Sequence, residues 1–201
     1  MHWKSLNHIV QPIILGSGSP RRRDLFKYIF KQFEVITTNA ELDQHTGDAA
    51  DFVLRNARYK ANQILIENTE AVSNGTLFTF DTVVALENRI LGKPKNIDAA
   101  RDMLKDLCGK THQVLTAYCV INLSNSEEII VDYATTNVKF INYDSSHLEA
   151  YLNTGESLDK AGSYGIQGFG RLLVDSIEGC YFNVVGMPVT AVFKDLGGVP
   201  K

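Results

Sequence analysis

Cysteine is scarce in this chain: three residues in 201, at Cys108, Cys119 and Cys180. The odd number and the absence of any C-x-x-C pair exclude a zinc clip or a dithiol redox centre, and suit a reducing compartment. Each cysteine sits in a core-like or turn-adjacent segment, which argues against a thiol nucleophile. Excess charge is also lacking. A formal net charge of −3 excludes the broad basic surface that nucleic-acid binding needs. No long uncharged apolar run is present, so no membrane-spanning helix is expected. Residues 1–11 are polar and contain His2, Lys4 and His8, unlike a secretory signal, and a cytoplasmic protein is the expectation. The five histidines are scattered, and no serine–histidine–aspartate arrangement is evident. There is no internal repeat and no low-complexity linker. With 44% apolar and 21% charged residues, the chain over residues 1–201 can bury a core as one domain, or as one domain with two lobes, and no separate linker is evident.

What is present begins with Ile13-Ile14-Leu15-Gly16-Ser17-Gly18-Ser19-Pro20-Arg21-Arg22-Arg23. The apolar run reads as a buried strand. Gly16 to Ser19 form a small-residue turn where a backbone can approach a ligand. Ser19 suits a helix N-cap and Pro20 the first helical position, and Leu25, Phe26 and Ile29 supply the apolar face. Three arginines in a first helical turn oppose the helix dipole, so the fold gains nothing from them locally. A strand, a Gly/Ser turn, free amides at a helix start and clustered guanidinium groups make an anion site suited to phosphates. The competing reading is a surface arginine cluster on an ordinary strand-to-helix turn. Neither the Walker A spacing nor the dinucleotide fingerprint is present.

Further polar exceptions interrupt apolar segments. Gln32–Thr38 predicts a strand, followed by the acidic loop Glu41-Leu42-Asp43-Gln44-His45. Gly47–Asn68 predicts a long helix capped by Asp48, with Val53, Ala57, Ala61 and Ile64 inward. Lys60 lies beside that stripe, either snorkelling at the core edge or aimed into a site. The strand Leu77–Leu86 carries Asp81, which needs a metal, a cation or a ligand as partner unless it sits at a solvated strand end. Gly92-Lys93-Pro94-Lys95 is a rigid basic loop. A helix is predicted from Asp98 with Ala99, Met103, Leu104 and Leu107 inward. Val114–Leu123 and Ile129–Ile141 pair as a hairpin, and Asp144 and Ser145 cap another helix. Asp159 to Gly170 is glycine-rich. Its amides suit close approach to a ligand, Tyr164 or Phe169 offers a ring for a base, and Gln167 can read a base edge; a plain glycine-rich connector is the alternative. Leu172–Ile177 and Cys180–Val185 read as a second hairpin, and a terminal helix opens at Met187-Pro188-Val189.

Five of these segments carry a family resemblance: Ser17-Gly18-Ser19-Pro20-Arg21-Arg22, Asp81-Thr82-Val83-Val84, Gly92-Lys93-Pro94, Asp159 to Gly168, and Val184-Val185-Gly186-Met187-Pro188. In this order, over nearly the whole chain, they resemble the Maf family of nucleoside triphosphate pyrophosphatases. The resemblance implies an α/β fold like that of the inosine triphosphate pyrophosphatases, with a curved mixed sheet forming two lobes around a central cleft. It implies hydrolysis between the α and β phosphates, with magnesium or manganese as cofactor and a homodimer as the assembly. The family's catalytic carboxylate falls on Asp81, which also stands as a metal ligand beside Asp43. The substrate-binding positions fall on Ser17, Ser19, Arg21, Arg22, Lys60, Thr82, Lys93, Lys160 and Gln167. Arg22, Thr82 and Gln167 resemble the subgroup acting on dTTP and UTP, and a glutamine amide matches the O4 and N3–H edge of uracil or thymine. A pyrophosphatase for 7-methyl-GTP or another modified nucleotide, and a non-enzymatic nucleotide-binding regulator of cell division, are the alternatives. The chain departs from the family pattern at Gly16, usually alanine, and at Thr79-Phe80, usually Gly-Ala.

Overall fold

The computed structural model describes residues 9–42, 48–68, 72, 74–87, 89–125 and 127–197, with the side chains of 127–129 left aside. Its frame is one seven-stranded mixed sheet in the order β2-β1-β3-β5-β6-β7, with β4 paired to β3. The strands are β1 (Ile13–Gly16), β2 (Glu34–Val35), β3 (Thr76–Leu86), β4 (Arg89–Leu91), β5 (Thr111–Asn122), β6 (Glu127–Phe140) and β7 (Val174–Glu178). β1 runs parallel to β2 and β3, and the remaining pairs are antiparallel. Register shifts at Val120/Ile121 and at Lys139/Phe140 interrupt the long ladders, and such irregularities bend a sheet.

The described residues form six α-helices around it: α1 (Pro20–Phe26), α2 (Ala49–Glu67), α3 (Ile97–Leu107), α4 (Ser145–Leu152), α5 (Tyr181–Val185) and α6 (Val189–Asp195). The capping chemistry is as the residues predict. Ser19, Asp48 and Asp144 each accept a backbone N–H at a helix start. Asn96, not a residue nearer Asp98, caps α3 by accepting from Ala99 N, and Ala100 rather than Ala99 is fully buried. Two further expectations are corrected. The strand expected over Gln32–Thr38 shrinks to two residues. Cys180–Val185 is not the return strand of a hairpin: Tyr181–Val185 is helical and ends on Gly186 in the left-handed region, φ 113°, a conformation that glycine adopts without strain. None of the described helices is long and apolar enough to cross a membrane.

The period of two along β3 decides what covers each face. Leu77, Val83 and Ala85 face α2, whose Val53, Ala57, Ala61 and Ile64 form the buried stripe. On the opposite face Phe78 and Phe80 pack with Leu25 and Phe26 of α1 and Val192 of α6. Further along that face, Val84 and Leu86 pack with Leu104 of α3 and Leu148 of α4. Two apolar clusters therefore share one face, and Thr82 lies at the seam between them. β5 repeats the pattern: Tyr118 and Val120 belong to the first cluster and Val114 to the second. Between them lies Thr116, the register partner of Thr82.

β3 also has a gap in its pairing. Its edge away from β5 pairs with β1 only through Thr79 and with β4 only from Val84. Phe80 to Val83 are unpaired on that edge, at the carboxyl end of β1. A crevice where a strand edge is abandoned is where open α/β sheets bind ligands.

Candidate active site

A cleft of about 930 Å³ opens at that gap. Its walls are the Gly16–Arg22 turn, Lys60 of α2, Phe80–Val84 of β3, the Gly92-Lys93 loop, and the stretch from Asp159 to Gly168. Every candidate residue among the described positions lines it: Ser17, Ser19, Arg21, Arg22, Lys60, Asp81, Thr82, Lys93, Lys160 and Gln167. Asp43 lies outside the described residues.

Asp81 and Lys60 form the centre. Asp81 is 5% exposed, and Lys60 Nζ donates to its Oδ1 at 2.6 Å. Lys60 is thus directed at the Asp81 carboxylate rather than lying along the core edge. The other oxygen, Asp81 Oδ2, is buried and accepts no hydrogen bond from the described residues. A buried carboxylate oxygen without a donor costs free energy, so Oδ2 calls for a partner in the cleft, as does Glu156 Oε2 on its wall. Glu41 joins the group. Its Oε1 lies 3.5 Å from Lys60 Nζ and 3.9 Å from Lys93 Nζ. Glu41 was not singled out from the sequence, where it is one acid in an acidic loop; its contact with two site lysines exists only in the folded chain.

Arg22 is held by protein groups on three sides. Nε donates to Gly186 O at 2.8 Å, NH1 to Ser17 Oγ at 3.2 Å and NH2 to Thr82 Oγ1 at 2.8 Å. Its guanidinium also stands 5.8 Å from the centre of the Phe80 ring, a cation–π contact. Phe80, the large departure before Asp81, therefore backs this arginine. Burial draws the Arg22 guanidinium down to about 10, against the pull of the Asp81 charge, and it remains a cation at neutral pH.

On the opposite wall Lys160 Nζ donates to Glu156 O at 2.8 Å and to Asp159 Oδ1 at 2.5 Å. Gly165 makes room for it: a Cβ there would stand 2.6 Å from Lys160 Cε. Arg21 NH1 reaches Asp159 Oδ2 at 3.9 Å across the cleft. Burial alone would raise the Asp159 carboxyl, but the Lys160 hydrogen bond and the charges of Lys160 and Arg21 outweigh it and the net shift is downward.

At the far end Gln167 is exposed on the cleft wall, with its backbone carbonyl taken by Arg171 NH2. The two rings proposed for base stacking are corrected. Tyr164 is 5% exposed; its hydroxyl shares a 2.8 Å hydrogen bond with His112 Nε2 and its ring packs edge-on to Phe140. It is a pillar of the wall with little surface to offer a base. Phe169 is 60% exposed and is not among the residues lining the cleft. His112 is therefore tied to the glycine-rich stretch, a partnership that a separation of 52 positions hides from sequence reading.

Among the described residues no three histidine, cysteine or acidic side chains form a metal cluster. Asp81 and Glu41 make two carboxylates that share Lys60, and Asp81 Oδ2 is buried without a hydrogen-bond partner among the described residues. That donor set fits magnesium or manganese, which is commonly held by one or two carboxylates together with substrate phosphates.

Mixed sheet, strand-end crevice and cationic lining define an α/β protein built around a cleft suited to anions. The chain belongs to the Maf family: the family model described as "Maf-like protein" matches residues 12–199. A dTTP/UTP pyrophosphatase of Clostridioides difficile (strain 630) is 45% identical over 89% of this chain and 90% of its own. One from Pyrococcus furiosus is 41% identical over 92% and 94%. The solved structure of a HAM1 protein from Coxiella burnetii superposes over 93% of this chain and 98% of that one, at a TM-score of 0.49 and 10% identity.

Proposed function

We propose that the protein is a nucleoside triphosphate pyrophosphatase acting on dTTP and UTP, releasing the nucleoside monophosphate and pyrophosphate. The observation that carries this is the Lys60–Asp81 pair, at 2.6 Å, inside a cleft lined by Arg21, Arg22, Lys93 and Lys160. Relatives named dTTP/UTP pyrophosphatases at 37–45% identity support the choice of substrate.

In this reading the triphosphate lies over the Ser17–Ser19 turn, where hydroxyls and cations neutralise it. Lys60 occupies Asp81 Oδ1 and fixes the carboxylate's orientation, which leaves Oδ2 to hold a water. As that water attacks the α-phosphorus its proton passes to Oδ2, the bond from the α-phosphorus to the bridging oxygen breaks, and pyrophosphate leaves. Arg21, Lys93 and Lys160 stabilise the charge that builds on the leaving group. Asp81 and Glu41, with Asp43 as a further candidate, would hold magnesium or manganese, which supplies Lewis-acid charge neutralisation at the phosphates. At the other end Gln167 meets the O4 and N3–H edge of the pyrimidine. The same reading takes a homodimer from the family resemblance, and a cytoplasmic setting from the three cysteines, none of them in a disulfide.

Asp81→Asn tests this. It keeps the size of the side chain and a partner for Lys60 but removes the proton acceptor, so pyrophosphate release from dTTP falls by a factor of about 10² or more while the urea midpoint changes little. A variant with near-parental turnover would sink the assignment.

A further inference from the structure

The seam between the two apolar clusters carries a connected line of polar groups. We propose that this line is a one-way hydrogen-bond relay that positions Arg22, and through Arg22 fixes the Ser17 hydroxyl as a donor aimed at the substrate's phosphates. The proposal rests on the reading that a triphosphate occupies the cleft.

The direction of each hydrogen follows from counting. Thr116, fully buried, lies 3.0 Å from the backbone oxygen of Asn183. A carbonyl oxygen only accepts, so the single hydroxyl hydrogen of Thr116 is spent there. The 2.9 Å bond between Thr82 Oγ1 and Thr116 Oγ1 must then use the hydrogen of Thr82. With that hydrogen gone, Thr82 Oγ1 is purely an acceptor, and it receives Arg22 NH2 at 2.8 Å. Arg22 NH1 in turn donates to Ser17 Oγ, which also takes the backbone N–H of Ser19 at 3.4 Å. Both lone pairs of Ser17 are filled, so its one hydrogen is all it can offer a ligand. A hydroxyl that can only donate suits an anion and wastes no orientation on binding it.

The far end is rigid. Asn183 is fully buried, and its Nδ2 donates to Val114 O at 2.9 Å and Thr136 Oγ1 at 3.0 Å. Thr82 therefore has no hydrogen left for a substrate. It acts through Arg22, as a positioning residue. Thr116 does so one link further away and is not part of the cleft lining.

The test is a double-mutant cycle between Thr116→Val and Ser17→Ala, read as kcat/KM for dTTP and as the affinity for inorganic tripolyphosphate. Thr116→Val keeps the side-chain shape and removes the hydroxyl. It should weaken both readouts about tenfold, the scale of a hydrogen bond to a charged group, and Thr116→Ser should restore them. In a Ser17→Ala background Thr116→Val should add nothing, because its effect travels through Ser17. Additive losses, or a Ser17→Ala variant that binds tripolyphosphate as the parent does, would overturn the relay. Should Thr116→Val not fold, Thr82→Val severs the same line nearer the cleft, and the same cycle decides. A parent protein that neither binds tripolyphosphate nor cleaves dTTP would overturn the function on which the relay rests, and is distinguishable from failure of the relay alone.

Discussion

Gly16 and Thr79 offer the sharpest test of how the residues beside the cleft are packed. The two are register partners on β1 and β3. A Cβ at Gly16 would stand 2.6 Å from Thr79 Cγ2, 2.8 Å from Ile64 Cδ1 and 3.1 Å from Phe78 O. Gly16 is not among the positive-φ glycines, so packing alone excludes alanine there. Gly16→Ala should therefore cost about 1–3 kcal/mol by overpacking. Thr79→Ser removes the obstructing methyl while keeping the hydroxyl bond to Ala57 O at 2.8 Å, and alone should cost about 1 kcal/mol for the lost buried methyl. In the double variant the new Cβ fills the space the methyl left, so stability should return close to that of the parent, a coupling of about 3 kcal/mol. Urea unfolding of the four proteins measures this, with the slope unchanged and only the midpoint moving. Additive losses would refute the packing argument.

Two other predictions concern the base end of the cleft. His112 is 1% exposed, and burial pulls its imidazole down to about 4. The unfolded chain takes up a proton below pH 6.5 that the folded chain refuses, so stability is lost as pH falls from 6.5 towards 4, by about 3 kcal/mol in all. Urea midpoints across that range should fall for the parent and fall less for His112→Gln; equal slopes would place the acid sensitivity elsewhere. Gln167→Ala should preserve turnover in part while narrowing the ratio of UTP to GTP cleavage, measured as kcat/KM for each. An unchanged ratio would remove Gln167 from base reading.

Much of the cleft is legible in the sequence because it is made of local signals that break a pattern. Lysine beside an apolar helical stripe, aspartate inside an apolar strand and arginines at a helix start each cost the fold something, and each turns up on the cleft wall. Helix starts at Ser19, Asp48 and Asp144 are legible because capping acts within three residues. The misreadings are long-range. Cys180–Val185 is rich in aromatic and β-branched residues and reads as a strand. It is helical because Thr136 Oγ1 bonds both the N–H and the carbonyl of Cys180 and Gly186 presents its oxygen to Arg22, so tertiary contacts override propensity. Tyr164 reads as a stacking ring because nothing near it in sequence announces His112. Thr116 looks like an ordinary strand threonine, and only its register against Thr82 shows that it marks the seam.

Pyrophosphate release is the most direct test, measured across UTP, dTTP, CTP, GTP and 7-methyl-GTP with magnesium, with manganese and with EDTA. Metal-dependent release strongest with dTTP and UTP, lost in EDTA, is the result predicted by the Asp81 centre and the Gln167 end of the cleft. Preference for 7-methyl-GTP would contradict the base reading, and binding of nucleotides without any pyrophosphate release would contradict the assignment as an enzyme.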